Sequence, residues 1–254
     1  MNHQAAFTQF FSELEDPRQT TKIAYPFFDV VFLTVCAAIG GAQGWEDIEL
    51  FGEAHLEWFQ RNGLFHNGLP VHDTIARIIS RIQPEQFQNA FVRWMQATSE
   101  RTDGELIAID GKTLRSSYDR DSRQSTIHMV SVKTVGVAIS YRIENMEKFS
   151  MEYRYYISSA ELTPEQFASA VRGHWAIENS LHWVLDVVMN EDACQIYRGD
   201  APQILACARH MAQNMLRAET SRKASLRKKQ QFAGMSSPYL EKVLDSGLAE
   251  LKSI

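Results

Sequence analysis

The chain has 254 residues, of which 44% are hydrophobic and 22% charged, with a formal net charge of −5. This composition excludes a disordered or membrane-embedded chain and is typical of one large or two small globular domains. The acidic balance also excludes a surface coated with basic residues, so any DNA contact must be local. Three scattered cysteines without metal-binding spacing predict a reducing, cytoplasmic location.

The longest apolar stretch begins at Ile23 and reads IAYPFFDVVFLTVCAAIG, with Pro26 and Asp29 inside it. The uninterrupted part after Asp29 is shorter than the ~20 residues that a bilayer span requires. No basic segment and no cleavage site precede it, as they would in a signal peptide. The stretch predicts a buried helix, and we expect no membrane association.

The first hundred residues show helical periodicity. Apolar residues recur at helical spacing over 45–62, with Gly63 as a C-cap, and again over 73–82. Pro84 opens a further helix. The last two helices suggest a helix-turn-helix for DNA, but their Gln-Pro joint and apolar surfaces favour ordinary core packing.

Polar residues 97–105 mark a boundary, after which strand signals appear at 106–110, 125–132, 134–140 and 152–158. A helix is predicted from the N-cap Thr163 to about residue 188, with Gly173 as a candidate break. Two more helices are predicted near 202–218 and 238–250. The second part of the chain therefore mixes strands and helices.

The segment LIAIDGKTLR, residues 106–115, contains the letters GKT of a phosphate-binding loop. Such a loop needs a glycine where Leu106 stands, so the match fails. Asp110 then has two readings. It is either a functional carboxylate at the end of a strand or the first residue of an Asp-Gly turn.

A second acid, Glu178, lies within the apolar helical segment HWAIENSLHWVLDV, between His174 and His182. Eight helical residues rise ~12 Å, so these two histidines cannot bind one zinc ion from a straight helix. Either can orient Glu178 through a hydrogen bond. The alternative is a structural glutamate paired with nearby His and Arg side chains. Together, Asp110 and Glu178 suit a Mg²⁺ site for phosphodiester chemistry.

Long motifs run in order along nearly the whole chain. They are GWEDIELFGEAHLEWF, GLPVHDTIARIISRI, IAIDGKTLRSSYDR, HWAIENSLHWVLDVVMNEDACQIYRGDAP and ARHMAQNMLR. Together they closely resemble the H-repeat-associated insertion-sequence transposases of the DDE transposase superfamily. The resemblance implies that Asp110 and Glu178 are catalytic residues that bind Mg²⁺ or Mn²⁺, and that the substrate is DNA at insertion-sequence ends.

The resemblance also implies a fold of the α+β or α/β class. A helical DDE-associated domain is expected over 1–98, and a truncated RNase H-like domain with a small sheet and C-terminal helices over 104–218. A basic segment and a C-terminal helix are expected over 219–254.

The family's middle aspartate has no counterpart here. No DAMGCQ-like motif occurs, and Asp110 and Glu178 are only 68 positions apart. We therefore predict an internal deletion joined near Val132–Lys133, a Mg²⁺ site that is weak or absent, and a defective transposase. The alternative is an inactive remnant that binds DNA or a partner, either an intact relative or a second copy.

Residues 216–230 hold six Lys or Arg side chains and one Glu. Such a run either contacts DNA phosphates or forms a solvated helix face or frayed tail. The candidates for DNA contact in it are Arg227, Lys228 and Lys229. Further candidates are Lys112, Arg115 and Arg172.

Overall fold

The structure is a computed structural model that describes residues 3–19, 23–98, 134–145, 148–158, 163–177 and 183–248. These residues form eleven helices and two strands. In chain order they are α1 His3–Phe11, α2 Phe27–Gly40, α3 Trp45–Ala54, α4 Leu56–Arg61, α5 His72–Ile79, α6 Pro84–Thr98, β1 Thr134–Asn145, β2 Lys148–Ser158, α7 Pro164–Ile177, α8 Trp183–Val187, α9 Ala201–Ala218, α10 Leu226–Met235 and α11 Ser237–Leu248.

The chain divides into two compact units. The first unit contains the described residues up to 98 and those from 184 to 248, so it joins the two ends of the chain. The second unit contains the strands, α7 and Trp183. The predicted domains are continuous stretches of sequence with boundaries at 98 and 219. The first compact unit, by contrast, combines residues from both ends of the chain.

Helix α2 lies at the centre of the first unit and packs against α9, α10, α3 and α5. Twelve of its 14 residues are buried, which confirms the prediction of a buried helix from the apolar stretch. The buried Asp29 in α2 accepts a hydrogen bond from the Phe65 amide at 2.8 Å. Burial raises the pKa of the Asp29 carboxyl, because desolvation penalises its charged form.

The apolar faces of α5 and α6 are both buried. Ile75, Ile78 and Ile79 of α5, and Phe87 and Trp94 of α6, are at most 2% exposed. These faces belong to the core of the first unit, as the core-packing interpretation predicts. Among the described residues, no single helix is long and apolar enough to cross a bilayer, and α2 with α3 meets that criterion only as a pair bent by 93°.

The predicted single helix over 45–62 is broken at His55, between α3 and α4. The His55 ring is buried, with Nδ1 2.7 Å from Ser237 Oγ and Nε2 3.0 Å from the Gly234 carbonyl oxygen. A proton on Nε2 satisfies both contacts, since the carbonyl can only accept. Burial lowers the pKa of His55, which favours this neutral form. His55 thereby ties the N-terminal helices to the junction of α10 and α11.

Two tryptophans attach α11 to the N-terminal helices. The Trp58 indole donates to Glu241 Oε1 at 2.6 Å, and the Trp94 indole donates to the Gly247 carbonyl at 3.1 Å. Buried indole N–H groups need such acceptors. The C-terminal helices are therefore integral to the first unit.

Helices α2 and α10 approach closely where Gly40 faces Gly234. A Cβ atom placed on Gly234 would lie 2.8 Å from the Gly40 carbonyl oxygen. A backbone oxygen cannot move aside as a flexible side chain can, so the two helices must separate to admit it.

Replacing Gly234 by Ala is expected to lower the free energy of unfolding by about 1–3 kcal/mol, the usual cost of overpacking. Urea denaturation monitored by circular dichroism measures this change. The matched control is Met235→Ala in the same helix, because Met235 is 85% exposed. Equal stability of Gly234→Ala and the wild type would contradict the close approach.

Strands β1 and β2 of the second unit form a two-stranded antiparallel hairpin. Its register pairs Thr134 with Ser158 and Tyr141 with Met151, and it shifts between Ile143 and Asn145. These strands contain the predicted strand segments 134–140 and 152–158, whereas 106–110 and 125–132 lie outside the described residues.

The expected α+β or α/β class with a truncated RNase H-like domain is wrong for the described residues. They are mostly helical, and their strands form only the hairpin, with no larger sheet. The physical reason lies in the C-terminal helices. Their apolar faces pack on N-terminal helices rather than on a sheet, since α9 contacts α2 and α6, and α11 contacts α9 and α1.

Helix α7 begins as predicted. The Gln166 amide donates to Thr163 Oγ1 at 3.3 Å, and the Thr163 amide donates to Gln166 Oε1 at 3.0 Å. This reciprocal pair is a capping box, with Pro164 at the first helical position. The helix continues through Gly173 to Ile177, so the candidate break at Gly173 is not present.

Candidate functional site

The two predicted metal-binding acids, Asp110 and Glu178, lie outside the described residues, as do His182, Lys112 and Arg115. Their roles stay predictions. Within the described ranges, no group of three or more His, Cys, Asp or Glu side chains could hold a metal ion.

Two of the predicted site residues lie on α7. At His174 only the backbone is described, and Arg172 is exposed. An exposed arginine can reach a phosphate, so Arg172 stays a candidate for DNA contact. The predicted junction Val132–Lys133 lies just before β1, outside the described residues.

The basic run 216–230 is the predicted feature that the structure describes in full. It contains the end of α9, a turn, and the start of α10, which sequence periodicity missed. The Ser225 hydroxyl caps α10 by accepting a hydrogen bond from the Lys228 amide at 3.4 Å. The run is therefore ordered helix and turn rather than a frayed tail.

The cations of this run fall into two groups. Arg217, Arg222, Lys223, Arg227 and Lys228 are exposed, whereas Lys229 is buried. Arg227 and Lys228 lie in the first turn of α10, where the helix dipole adds positive potential. Both side chains are exposed, so they stay candidates for contact with an anionic partner, and that role stays a prediction.

Lys229 is a correction to the predicted set. Its ammonium donates to the carbonyl oxygens of Leu216, at 3.0 Å, and of Glu219, and it lies 3.6 Å from Glu219 Oε2. These carbonyls close the end of α9, where backbone acceptors lack helical partners. A buried ammonium held in this way caps a helix and does not contact DNA.

Glu219 lies behind the exposed cations and is only 1% exposed. Its carboxylate accepts hydrogen bonds from the Ser221 amide at 2.7 Å and the Tyr239 hydroxyl at 2.6 Å. Burial alone would raise the pKa of Glu219, but these bonds and the Lys229 charge together hold it below its ordinary value. Glu219 is the one acid in the basic run, and that pattern was the sequence signal for its buried pairing with Lys229.

The comparisons with known proteins cover nearly the whole chain. The family model described as "Transposase DDE domain" matches residues 68–215. The model described as "DDE_Tnp_1-associated" matches residues 8–95. No solved structure matches the chain.

Two relatives from Escherichia coli K12 are informative. The "H repeat-associated putative transposase YhhI" is 33% identical over 371 aligned residues, which cover 95% of this chain and 98% of that protein. This chain has only 254 residues. At least 117 of the 371 aligned positions therefore have no counterpart in it.

The second relative, "Inactive transposase YbfQ", is 54% identical over 66 residues, or 26% of this chain and 79% of that protein. The family models and the long alignment confirm the resemblance to H-repeat-associated transposases. The chain belongs to the DDE transposase family.

Proposed function

We propose that this chain is a transposase-family protein that binds DNA at insertion-sequence ends and does not complete strand cleavage and joining. The observation that carries the proposal is the sequence between the two retained acids. Asp110 and Glu178 are 68 positions apart, with no middle aspartate motif between them. The unmatched positions in the long alignment support an internal deletion.

Asp110 and Glu178 are the residues that would hold Mg²⁺ or Mn²⁺ by their place in the family motifs. Such an ion, when bound, supplies Lewis-acid stabilisation of charge in phosphodiester chemistry. Two carboxylates without the third give a weaker site, and displacement of reacting groups by ~1 Å costs ~100-fold in rate. We expect Mg²⁺ affinity no tighter than about millimolar, by the same loss of ligands.

The family suggests DNA as the partner, and the exposed cations of 222–228 offer a local surface for it. Arg222, Lys223, Arg227 and Lys228 lie within seven positions. Phosphate contacts of this kind supply affinity without reading sequence. Such a local basic surface is compatible with the net charge of −5, because only the residues near the DNA need to be positively charged. Binding next to an intact relative or a second copy is compatible with this proposal.

A nicking assay tests the chemistry. The purified chain is mixed with labelled duplexes taken from the DNA that flanks its gene, in Mg²⁺ or Mn²⁺. We expect no nicking above the level of the Asp110→Ala variant, together with retention of the duplex at low salt.

Nicking by the wild type that Asp110→Ala abolishes would overturn the defect and establish an active enzyme. Failure to retain DNA even at low salt would overturn the binding function. Glu178→Gln serves as a second variant, because it removes the other predicted carboxylate charge while keeping the size of the side chain.

A further inference from the structure

A pocket of about 410 Å³ lies where the turn after α9 meets α10 and α11. This volume is in the range of small-molecule and cofactor sites. The lining combines two cations, two hydroxyl groups and two aromatic rings, and the lining residues include no acid. They are Arg222, Lys242, Ser221, Ser236, Phe232 and Tyr239, together with Pro238.

The guanidinium of Arg222 is positioned by the aromatic rings. Its central carbon lies 3.9 Å from the Phe232 ring centroid and 5.8 Å from that of Tyr239. The two rings meet nearly edge to face, with centroids 5.7 Å apart. An arginine held over a ring by a cation–π contact keeps its charge and its planar face available.

The walls of the pocket are fixed from behind by Glu219. Its two carboxylate oxygens hold the Ser221 amide and the Tyr239 hydroxyl, and both of these residues line the pocket. The buried Lys229 lies 3.6 Å from the same carboxylate and offsets its charge. The pocket is therefore a built feature with a rigid rear wall, rather than a gap between mobile surface side chains.

The two cations of the lining are available for an anion. Neither Arg222 nor Lys242 forms an ion pair within the part of the chain that the structure describes. Two positive charges with two hydroxyl groups suit a phosphate, which accepts several charge-assisted hydrogen bonds. The ring and guanidinium faces suit a flat, weakly polar group beside that phosphate.

We propose that this pocket binds one unpaired nucleotide, with its phosphate held by Arg222 and Lys242 and its base stacked on the Arg222–Phe232 pair. A base inside a duplex is covered by its neighbours and must leave the stack to enter such a pocket. The pocket therefore selects single-stranded over duplex DNA. That a DNA strand supplies the nucleotide rests on the proposed function, whereas the preference for a phosphate beside a planar ring does not.

The test compares variants by fluorescence anisotropy, using labelled oligothymidylate as the single strand and a duplex of equal length. Arg222→Gln and Lys223→Gln remove the same charge from adjacent exposed positions, but only Arg222 lines the pocket. We expect Arg222→Gln and Phe232→Leu to weaken single-strand binding roughly tenfold. Lys223→Gln is expected to weaken single-strand and duplex binding equally, by a few-fold.

Phe232→Tyr keeps the ring and is expected to retain single-strand binding, which separates stacking from a folding defect. Equal losses in Arg222→Gln and Lys223→Gln on both DNAs would overturn the pocket and leave the proposed function standing. Absence of binding to either DNA by the wild type would instead remove the proposed function. A titration with free thymidine 5′-monophosphate then decides the pocket itself. Binding that Arg222→Gln abolishes supports it with a free nucleotide as ligand, and no binding overturns it.

Discussion

Replacing Lys229 by Met is expected to lower the free energy of unfolding by about 3 kcal/mol, the cost of breaking a buried charge pair. Methionine keeps the length of the side chain but removes the ammonium. The carbonyl oxygens of Leu216 and Glu219 then lose their donor, and the buried Glu219 carboxylate loses its nearest cation. Leaving a buried acceptor unsatisfied costs about 1–3 kcal/mol, and this cost is part of the expected loss.

Urea denaturation measures the loss, and Lys228→Met is the matched control. Lys228 precedes Lys229 in the same helix and is exposed, so its replacement is expected to change stability by less than about 0.5 kcal/mol. Adding Glu219→Gln to Lys229→Met is expected to restore part of the loss, because it removes the uncompensated charge. Equal effects of the two methionine variants would contradict the buried pair.

The same pair gives stability a defined pH dependence. Hydrogen bonds and Lys229 hold the pKa of Glu219 below its ordinary value of 4.5. A depressed carboxyl pKa contributes stability above the unfolded-state value, and this contribution is lost as the pH falls through the folded-state value. The wild type should therefore lose more stability on acidification below pH 4.5 than a Glu219→Gln variant does.

The basic run shows what composition leaves undetermined. Six cations in fifteen residues appear equivalent in the sequence, yet the fold divides them. Arg222 is held against an aromatic ring, Arg227 and Lys228 are exposed, and Lys229 closes the end of another helix. Which face of α10 is buried depends on where α2 and α9 lie, and no local pattern encodes that.

Local signals predicted single elements better than their assembly. The apolar stretch of α2 and the Thr163 capping box of α7 appear as the sequence indicates. The break at His55 could not be predicted, because it depends on contacts with Ser237 and Gly234 that are about 180 residues away. The wrong fold class has a similar origin. It was inferred from the whole family, whereas this chain lacks many of the aligned positions.

The pocket residues could not be predicted from local sequence patterns either. Ser221 and Arg222 belong to the basic run, whereas Tyr239 and Lys242 lie on a helix that sequence analysis assigned no role. Only the fold of the first unit brings them together. Glu219, the single acid among the cations, was the available sequence signal, because a lone acid in a basic segment predicts an internal ion pair.

Neutralising Arg227 and Lys228 together, as Arg227→Gln with Lys228→Gln, is expected to reduce the salt dependence of duplex binding by roughly 2 units of slope. Each lysine or arginine that pairs with a phosphate releases condensed counterions, so the logarithm of affinity falls linearly with the logarithm of salt concentration. Lys229 is left intact in this variant because its ammonium is committed to the protein interior. The measurement is duplex affinity by anisotropy over a series of salt concentrations.

The matched control removes two exposed cations from the other candidate surface, as Arg77→Gln with Arg81→Gln, on α5 and directly after it. Both variants change the net charge equally, so a general charge effect would shift both slopes alike and refute a local interface. A change confined to the Arg77 and Arg81 pair would favour the helix-turn-helix reading of α5 and α6. We expect only the Arg227 and Lys228 pair to change the slope. The outward-pointing charges on α5 lie on a helix whose other face is committed to the core, whereas the start of α10 combines exposed cations with the positive end of a helix dipole.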